Sequence, residues 1–331
     1  MERRDRVVAL AGGVGGARLA HGLLLALGDE SPYERIDPAD AQPSPIYPLT
    51  VVCNTADDFD LYGLRISPDC DTVLYTLAGL ANPETGWGIA GDIANALDML
   101  RRYGAEIWFW LGDRDLATHI LRTERLRAGW PLSAVMRAFG QALGVQANLL
   151  PMCEEPVATL LRTSEGELAF QEYFVRRRQN DTVLGVRFEG IEQARVSGAV
   201  RDAITQAQAI IFCPSNPFVS IGPVLAVPGM RDLIVAASAP KVAVSPIVGG
   251  AAIKGPAAAM LASMGYEVSA YGVATLYAGL IQGFVIDRAD AADAARIEAL
   301  GIRVFVTDAV MRDQVGRERL AREVLRFAEE L

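Results

Sequence analysis

Apolar positions in this chain fall into short solid runs separated by longer stretches with a helical repeat. Val7-Val8-Ala9-Leu10-Ala11 is the first run, and Leu19, Leu23, Leu24 and Leu27 follow at helical spacing. A short uninterrupted apolar run bounded by glycine predicts a buried strand; a 3.6-residue repeat predicts a helix packed by one face. Leu49–Cys53, Ile107–Leu111, Ala209–Cys213, Lys241–Val244, Gly283–Ile286 and Arg303–Val306 read as further strands. Helical patterns cover Val73–Leu80, Asp92–Tyr103, Leu116–Ala128, Leu132–Leu143, Val196–Gln206, Gly255–Met264, Val273–Gly279, Ala291–Leu300 and Val315–Ala328. Between Asn148 and Phe188 the texture changes to short strand-like runs at 157–162, 168–171, 173–177 and 183–188, with a turn at Ser164–Glu167. Asp29–Pro48, rich in Pro, Asp, Ser and Tyr, reads as a surface loop.

The rhythm predicts three segments: a core at 1–147, a small β-rich insertion at 148–190, and the rest of the core at 191–331. The unusual polar stretches Gly12–Gly16, Asn54–Asp60, Gly112–Asp115, Pro214–Pro217 and Ser245–Gly250 each follow a predicted strand. In a parallel sheet the carboxyl ends share one edge, where ligands bind at the switch in strand order. The expected fold is therefore α/β: a Rossmann-like three-layer parallel sheet with helices on both faces and a small β-rich insertion.

Charge narrows what that edge binds. The chain carries 40 Asp and Glu against 31 Lys and Arg, a net charge of -9, which disfavours non-specific nucleic-acid binding. Cys53, Cys70, Cys153 and Cys213 form no C-x-x-C pair and the two histidines lie far from them in sequence. Reduced cytosolic thiols are then the default, with no zinc framework. No signal peptide or membrane-spanning run is evident, so the expected location is cytoplasmic, with no membrane partner.

The glycine run, lying between a strand and a helix, predicts an anion cradle of tight turn and free amide N–H groups, fitted to a phosphate or diphosphate; taken alone it also reads as a tight strand-to-helix turn with no ligand. Asp57, Asp58, Asp60, Asp69, Asp71, Asp113 and Asp115 are too many carboxylates to converge unpaired. A Mg2+ ion bridging some of them to a diphosphate resolves the conflict. Arg18, Arg114 and Lys254 are the available cations, Arg114 the best placed for a two-pronged phosphate contact. Other readings stay open: Asp71 and Asp115 as helix caps, His119 as a packed residue, Trp108 and Trp110 as core, Asn216 as a turn former or a base-reading amide. Trp87, between glycines 86 and 88, is the candidate for stacking on a ring.

Together these stretches — 12–18, 54–58, 67–75, 111–119, 214–217 with 220–223, and 245–249 — resemble the 2-phospho-L-lactate transferase family of coenzyme F420 biosynthesis, and the likeness spans nearly the whole chain. The resemblance implies transfer of a 2-phospho-lactate or phosphoenolpyruvate-derived unit. The donor it implies is linked to guanosine diphosphate, the acceptor is the ribityl hydroxyl of the deazaflavin Fo, and GMP is released with Mg2+ as cofactor. On this reading Asp57 and Asp69 hold Mg2+, with Asp58 in support. Asp71 orients or deprotonates the acceptor hydroxyl, and Arg114 contacts the diphosphate or Fo. The donor is held by Gly12, Gly13, Val14, Gly15 and Gly16, with Asn54, Trp87, Ser215, Asn216 and Ser245 nearby. A homodimer is expected. The competing expectation is a non-catalytic nucleotide-sugar-binding regulator of carbon metabolism from the same superfamily.

Overall fold

The structure is a computed structural model that describes residues 6–28 and 47–331, so nearly all of the Asp29–Pro48 loop lies outside the described residues. Its strands run in chain order β1 (Val7–Ala11), β2 (Leu49–Cys53), β3 (Phe59–Leu61), β4 (Leu64–Ile66), β5 (Asn148–Pro151), β6 (Ala158–Thr163), β7 (Gly166–Ala169), β8 (Val183–Glu189), β9 (Ala209–Phe212), β10 (Lys241–Val244), β11 (Ile247–Val248), β12 (Ala251–Ala252), β13 (Gly283–Asp287) and β14 (Arg303–Thr307). Seven of them form one sheet in the order β14-β13-β10-β9-β1-β2-β5, every pairing parallel.

Side chains alternate across a strand, and β1 shows the consequence. Val7, Ala9 and Ala11 enter the core on one face of the sheet, with Leu23 of α1 (Gly13–Leu27), Leu74 of α2 (Pro68–Leu77) and Val324 of the C-terminal helix Gln314–Glu329. Val8 and Leu10 enter the core on the other face, with Ile204, Ile234 and Val273 from helices of the second half. Two cores, one on each face, make the three layers.

Two sequence expectations change. Ile107–Leu111 is not a strand. It runs between α3 (Asn95–Arg102) and α4 (Asp113–Arg127) and packs on the antiparallel β3–β4 hairpin, Phe59 lying 5.7 Å from Trp108 and 5.0 Å from Phe109 between ring centres. Its apolar residues build a third, small cluster rather than joining the sheet. Four of the five polar stretches thus follow strands, and Gly112–Asp115 arrives from the side.

The β-rich stretch also differs in detail. Asn148–Pro151 pairs with β2 as an edge strand of the main sheet, and the antiparallel β7-β6-β8 sheet follows it. Residues 173–177 form no strand: Glu172–Arg176 is a single π-helical turn. Leu161, Leu168 and Val183 of this sheet, with Phe170 just after β7, pack into the core on the Val8 face. The small sheet therefore shares the core of the parent fold.

Candidate active site

The chain fills β1, β2 and β5 outward, then returns to place β9 on the other side of β1. The order reverses there, and the carboxyl ends of β1 and β9 open the crevice that binds ligands in such sheets. A cavity of about 580 Å³ occupies it, within the ~300–1,000 Å³ of small-molecule sites. A smaller cavity of about 240 Å³, bordered by Arg6, Thr50 and Asn148 among others, lies near the amino ends of β1 and β2 and gathers little chemistry.

Glycine builds the floor by letting backbones touch. A Cβ on Gly15 would sit 2.2 Å from the Pro214 carbonyl oxygen, and one on Gly16 would sit 2.5 Å from Ser215 Oγ. Gly13 adopts φ +61°, a conformation that favours glycine. Ser215 Oγ accepts from the Gly12 N–H at 3.2 Å and donates to the Gly12 carbonyl at 2.9 Å, locking the loop after β9 to the loop after β1. Gly12, Gly13, Val14 and Gly15 border the cavity with the first turn of α1, whose N–H groups have no helical partner.

Asp69 closes this cradle from the side. Its Oδ1 accepts from the Gly13 N–H at 2.8 Å, and its Oδ2 accepts from Asn54 Nδ2 at 2.9 Å. Asn54 also donates to the Val219 carbonyl at 3.1 Å and accepts from the Ala56 N–H. Asn54 thus positions Asp69 and is not among the residues that line the cavity.

Asp57 is 5% exposed and its Oδ1 is buried with no hydrogen-bond partner. Burial first, and then the neighbouring Asp69 carboxylate, push its pKa well above the usual range. Burial likewise raises Asp69 to about 6, against the pull of its two hydrogen bonds. A cation offsets both penalties, and oxygen donors are what Mg2+ takes; the orphaned Asp57 oxygen beside Asp69 fits such an ion. Asp58 is raised to about 7 by burial, opposed chiefly by the Ser67 hydroxyl, which donates to its Oδ2 at 2.7 Å; it does not line the cavity.

A second buried network adjoins the first. Arg122, fully buried, grips Asp71 with two guanidinium nitrogens, one of them at 3.0 Å. His119 lies between two carboxylates, Nδ1 3.6 Å from Asp71 Oδ2 and Nε2 3.3 Å from Asp115 Oδ1. The Tyr75 hydroxyl donates to Asp115 Oδ1 at 2.7 Å. Ligating atoms of Asp71, Asp115 and His119 fall within 4.8 Å of one another, an acidic cluster able to take a metal ion. Arg122 already supplies a positive charge there, whereas Asp57 and Asp69 have none in contact among the described residues. Asp71 and Asp115 therefore do more than begin helices.

The remaining predicted residues divide. Arg18 and Lys254 border the cavity, the Lys254 ammonium donating to the Thr85 carbonyl at 2.6 Å. Burial and then nearby Arg18 lower the Lys254 pKa, as expected of two cations awaiting an anion. Arg114 does not join them. Its side chain is exposed on α4, and only its backbone N–H is engaged, by the Asp92 carboxylate that caps this helix. Trp87 is 44% exposed at the cavity rim, edge-on to Trp110 at 6.0 Å. Trp108 packs on the small third cluster and also lines the cavity, as expected of a core residue at its edge, whereas Trp110 is exposed at the cavity and does not join a core. Asn216 borders it while its Oδ1 accepts from the Phe218 N–H at 2.9 Å, the work of a turn former. Ser245 likewise folds back on Ile247.

The sequence reading missed Arg122, Tyr75 and the wall supplied by the segment between β7 and β8, Phe170, Gln171 and Phe174. One signal was there to use: Asp115, His119 and Arg122 recur at helical spacing on one face of α4.

Comparison with known proteins places the chain in a family. Over 98% of its length the chain is 42% identical to a phosphoenolpyruvate transferase of Streptomyces griseus, covering 99% of that protein. It is 36% identical to a 2-phospho-L-lactate transferase of Methanosarcina mazei, covering 96% of this chain and 99% of that one. A solved structure of a UPF0052-family protein from Bacillus halodurans superposes with a TM-score of 0.63 at 16% identity, over 98% of this chain and all of the other, which shows the shared fold. The family model described as 2-phospho-L-lactate transferase CofD matches residues 7–324. Spanned almost end to end by that model and by its curated relatives, the chain belongs to the 2-phospho-L-lactate transferase family.

Proposed function

We propose that this transferase moves a phospho-organic acid from a guanosine-diphosphate-linked donor to the ribityl hydroxyl of Fo, releasing GMP. The observation that carries the reading is the meeting, in one cavity at the β1/β9 switch, of the α1 N-terminus with the buried Asp57–Asp69 pair. The higher identity to relatives named phosphoenolpyruvate transferase favours a donor carrying enolpyruvate over lactate.

In this reading the amide N–H groups of α1 hold the diphosphate, aided by Arg18 and Lys254. Asp57 and Asp69 would hold Mg2+, which when bound supplies charge stabilisation at the transferring phosphoryl group. The acceptor hydroxyl attacks the phosphorus bearing the organic acid, its bond to GMP oxygen breaks, and GMP departs with the electron pair. Asp71 receives or orients the hydroxyl proton, while Arg122 fixes its direction and His119 and Asp115 extend the network. Such transfers depend on positioning and charge more than on covalent chemistry.

Turnover with Fo, donor and Mg2+ tests the assignment. Excess chelator and Asp57→Asn should each lower the rate at least about a hundredfold, in line with the loss of a charge-stabilising group, and leave the far-ultraviolet circular dichroism unchanged. Undiminished turnover in chelator would remove the metal claim.

A further inference from the structure

We infer that Gln171 reads the lactam edge of the flat heterocycle entering the aromatic end of the cavity; this rests on the reading above that the substrates carry such rings. Gln171 is 7% exposed, yet its side-chain amide has no hydrogen-bond partner among the described residues. It borders the cavity, and its amide atoms are not among the sealed, unpartnered polar atoms, so the amide opens onto that space. A ligand that displaces water from this space and leaves the amide unpaired incurs its desolvation cost, whereas one that pairs with it avoids that cost.

The surroundings select the ligand's shape. Phe170 and Phe174 flank Gln171 in sequence and stack on each other at 5.4 Å with planes 8° apart. Trp108 and Phe109 face the same cavity from the segment before α4. These walls recognise ring faces and are indifferent to ring edges. Gln171 offers a carbonyl acceptor beside an N–H donor, the complement of a ring N–H next to a ring carbonyl.

Local structure sets its place. Gln171 precedes the π-helical turn Glu172–Arg176, closed by the Arg177 N–H donating to the Glu172 carbonyl at 2.8 Å. Arg176 pairs with Glu106 at 2.5 Å, and the Tyr62 hydroxyl donates to the Glu106 carbonyl at 2.6 Å. That chain of contacts links the turn to the segment carrying Trp108 and Phe109.

Guanine in the donor and the pyrimidinedione of the deazaflavin both carry a lactam edge, so the test has an arm for each. Dissociation constants of the full-length wild type, Gln171→Leu and Gln171→Glu are measured for GDP with Mg2+ by calorimetry and for Fo by its fluorescence. One of the two constants should rise about tenfold in Gln171→Leu, the scale of one lost buried hydrogen bond, and the other should hold within about twofold. A ring N-methylated at the lactam should bind the wild type equally more weakly, and Gln171→Leu without penalty. Two unchanged constants, two that rise together, or a methylated ring that binds the wild type normally would each overturn the inference. A wild type that binds GDP but no Fo would count against the acceptor assignment, while the GDP arm still decides the role of Gln171.

Discussion

Asp71 and Arg122 show how a single buried pair serves two ends. The guanidinium is fully buried and engages both oxygens of Asp71. Removing one partner leaves the other charge uncompensated, which costs about 3–5 kcal/mol. Arg122→Met should therefore lower the urea midpoint strongly, whereas Arg101→Ala, which breaks the exposed Asp98 pair, should barely move it. Equal shifts would mean that the Asp71 network contributes little to the fold. Asp71→Asn, the natural probe of the chemistry, has to be read beside its own unfolding curve for the same reason. Asp58 carries the opposite sign. Its folded-state pKa of about 7 lies above the ordinary value of 3.8. Below pH 4 both states hold the proton and Asp58 costs nothing. As pH rises towards 7 the unfolded chain ionises first, so stability falls, and above 7 the cost is constant. In chelator, Asp58→Asn should melt higher than the wild type at pH 8, with the gain vanishing near pH 4. A gain of the same size at both pH values would contradict the burial argument.

At the scale of elements, the approach of the loops after β1 and β9 is the feature that makes the cradle. Gly15→Ala would drive a methyl group into the Pro214 carbonyl, and such overpacking costs about 1–3 kcal/mol. It should also weaken GDP binding measured by calorimetry. Gly198→Ala, where nothing lies within 4 Å of the added atom, is the neutral control; equal behaviour of the two variants would dismiss the contact.

Six of the seven strands of the large sheet were legible as short, mostly apolar runs, while β5 was absorbed into the stretch read as an insertion; Gly12–Gly16 and Asp69 stood out because turn and charge leave marks in sequence. Ile107–Leu111 misled for a physical reason: an apolar run states that a segment is buried, and not whether it pairs with a sheet or packs on a hairpin. Arg114 misled because a helix end displays its residues in several directions, and Asp92 claimed the backbone there. Asn54 and Asn216 were marked for the donor; the Asn54 amide bonds to Asp69 and to loop backbone, and the Asn216 carbonyl to the turn that follows it. Arg122 and Gln171 were invisible as single letters, since their importance lies in what surrounds them.

Across the whole molecule, sheet order explains why residues as distant in sequence as Gly12, Asp57, Asp71 and Ser215 share one cavity. The crossover from β5 to β9 brings the second half of the chain against β1, and the segment joining β7 to β8 adds Phe170 and Phe174 to the wall. Family membership says that the chain is a transferase relative; which donor and acceptor meet in the cavity is the central claim. No helix among the described residues is long and apolar enough to cross a membrane. The most direct measurement is mass analysis after incubating the protein with Fo, Mg2+ and guanosine-diphosphate-linked enolpyruvate, lactate or glycerate in separate reactions. The account predicts one new deazaflavin product, heavier than Fo by the phospho-organic acid of a single preferred donor, with GMP formed in equal amount. Absence of any such product with all three donors, while GDP still binds, would contradict it and favour a nucleotide-binding protein without transfer activity.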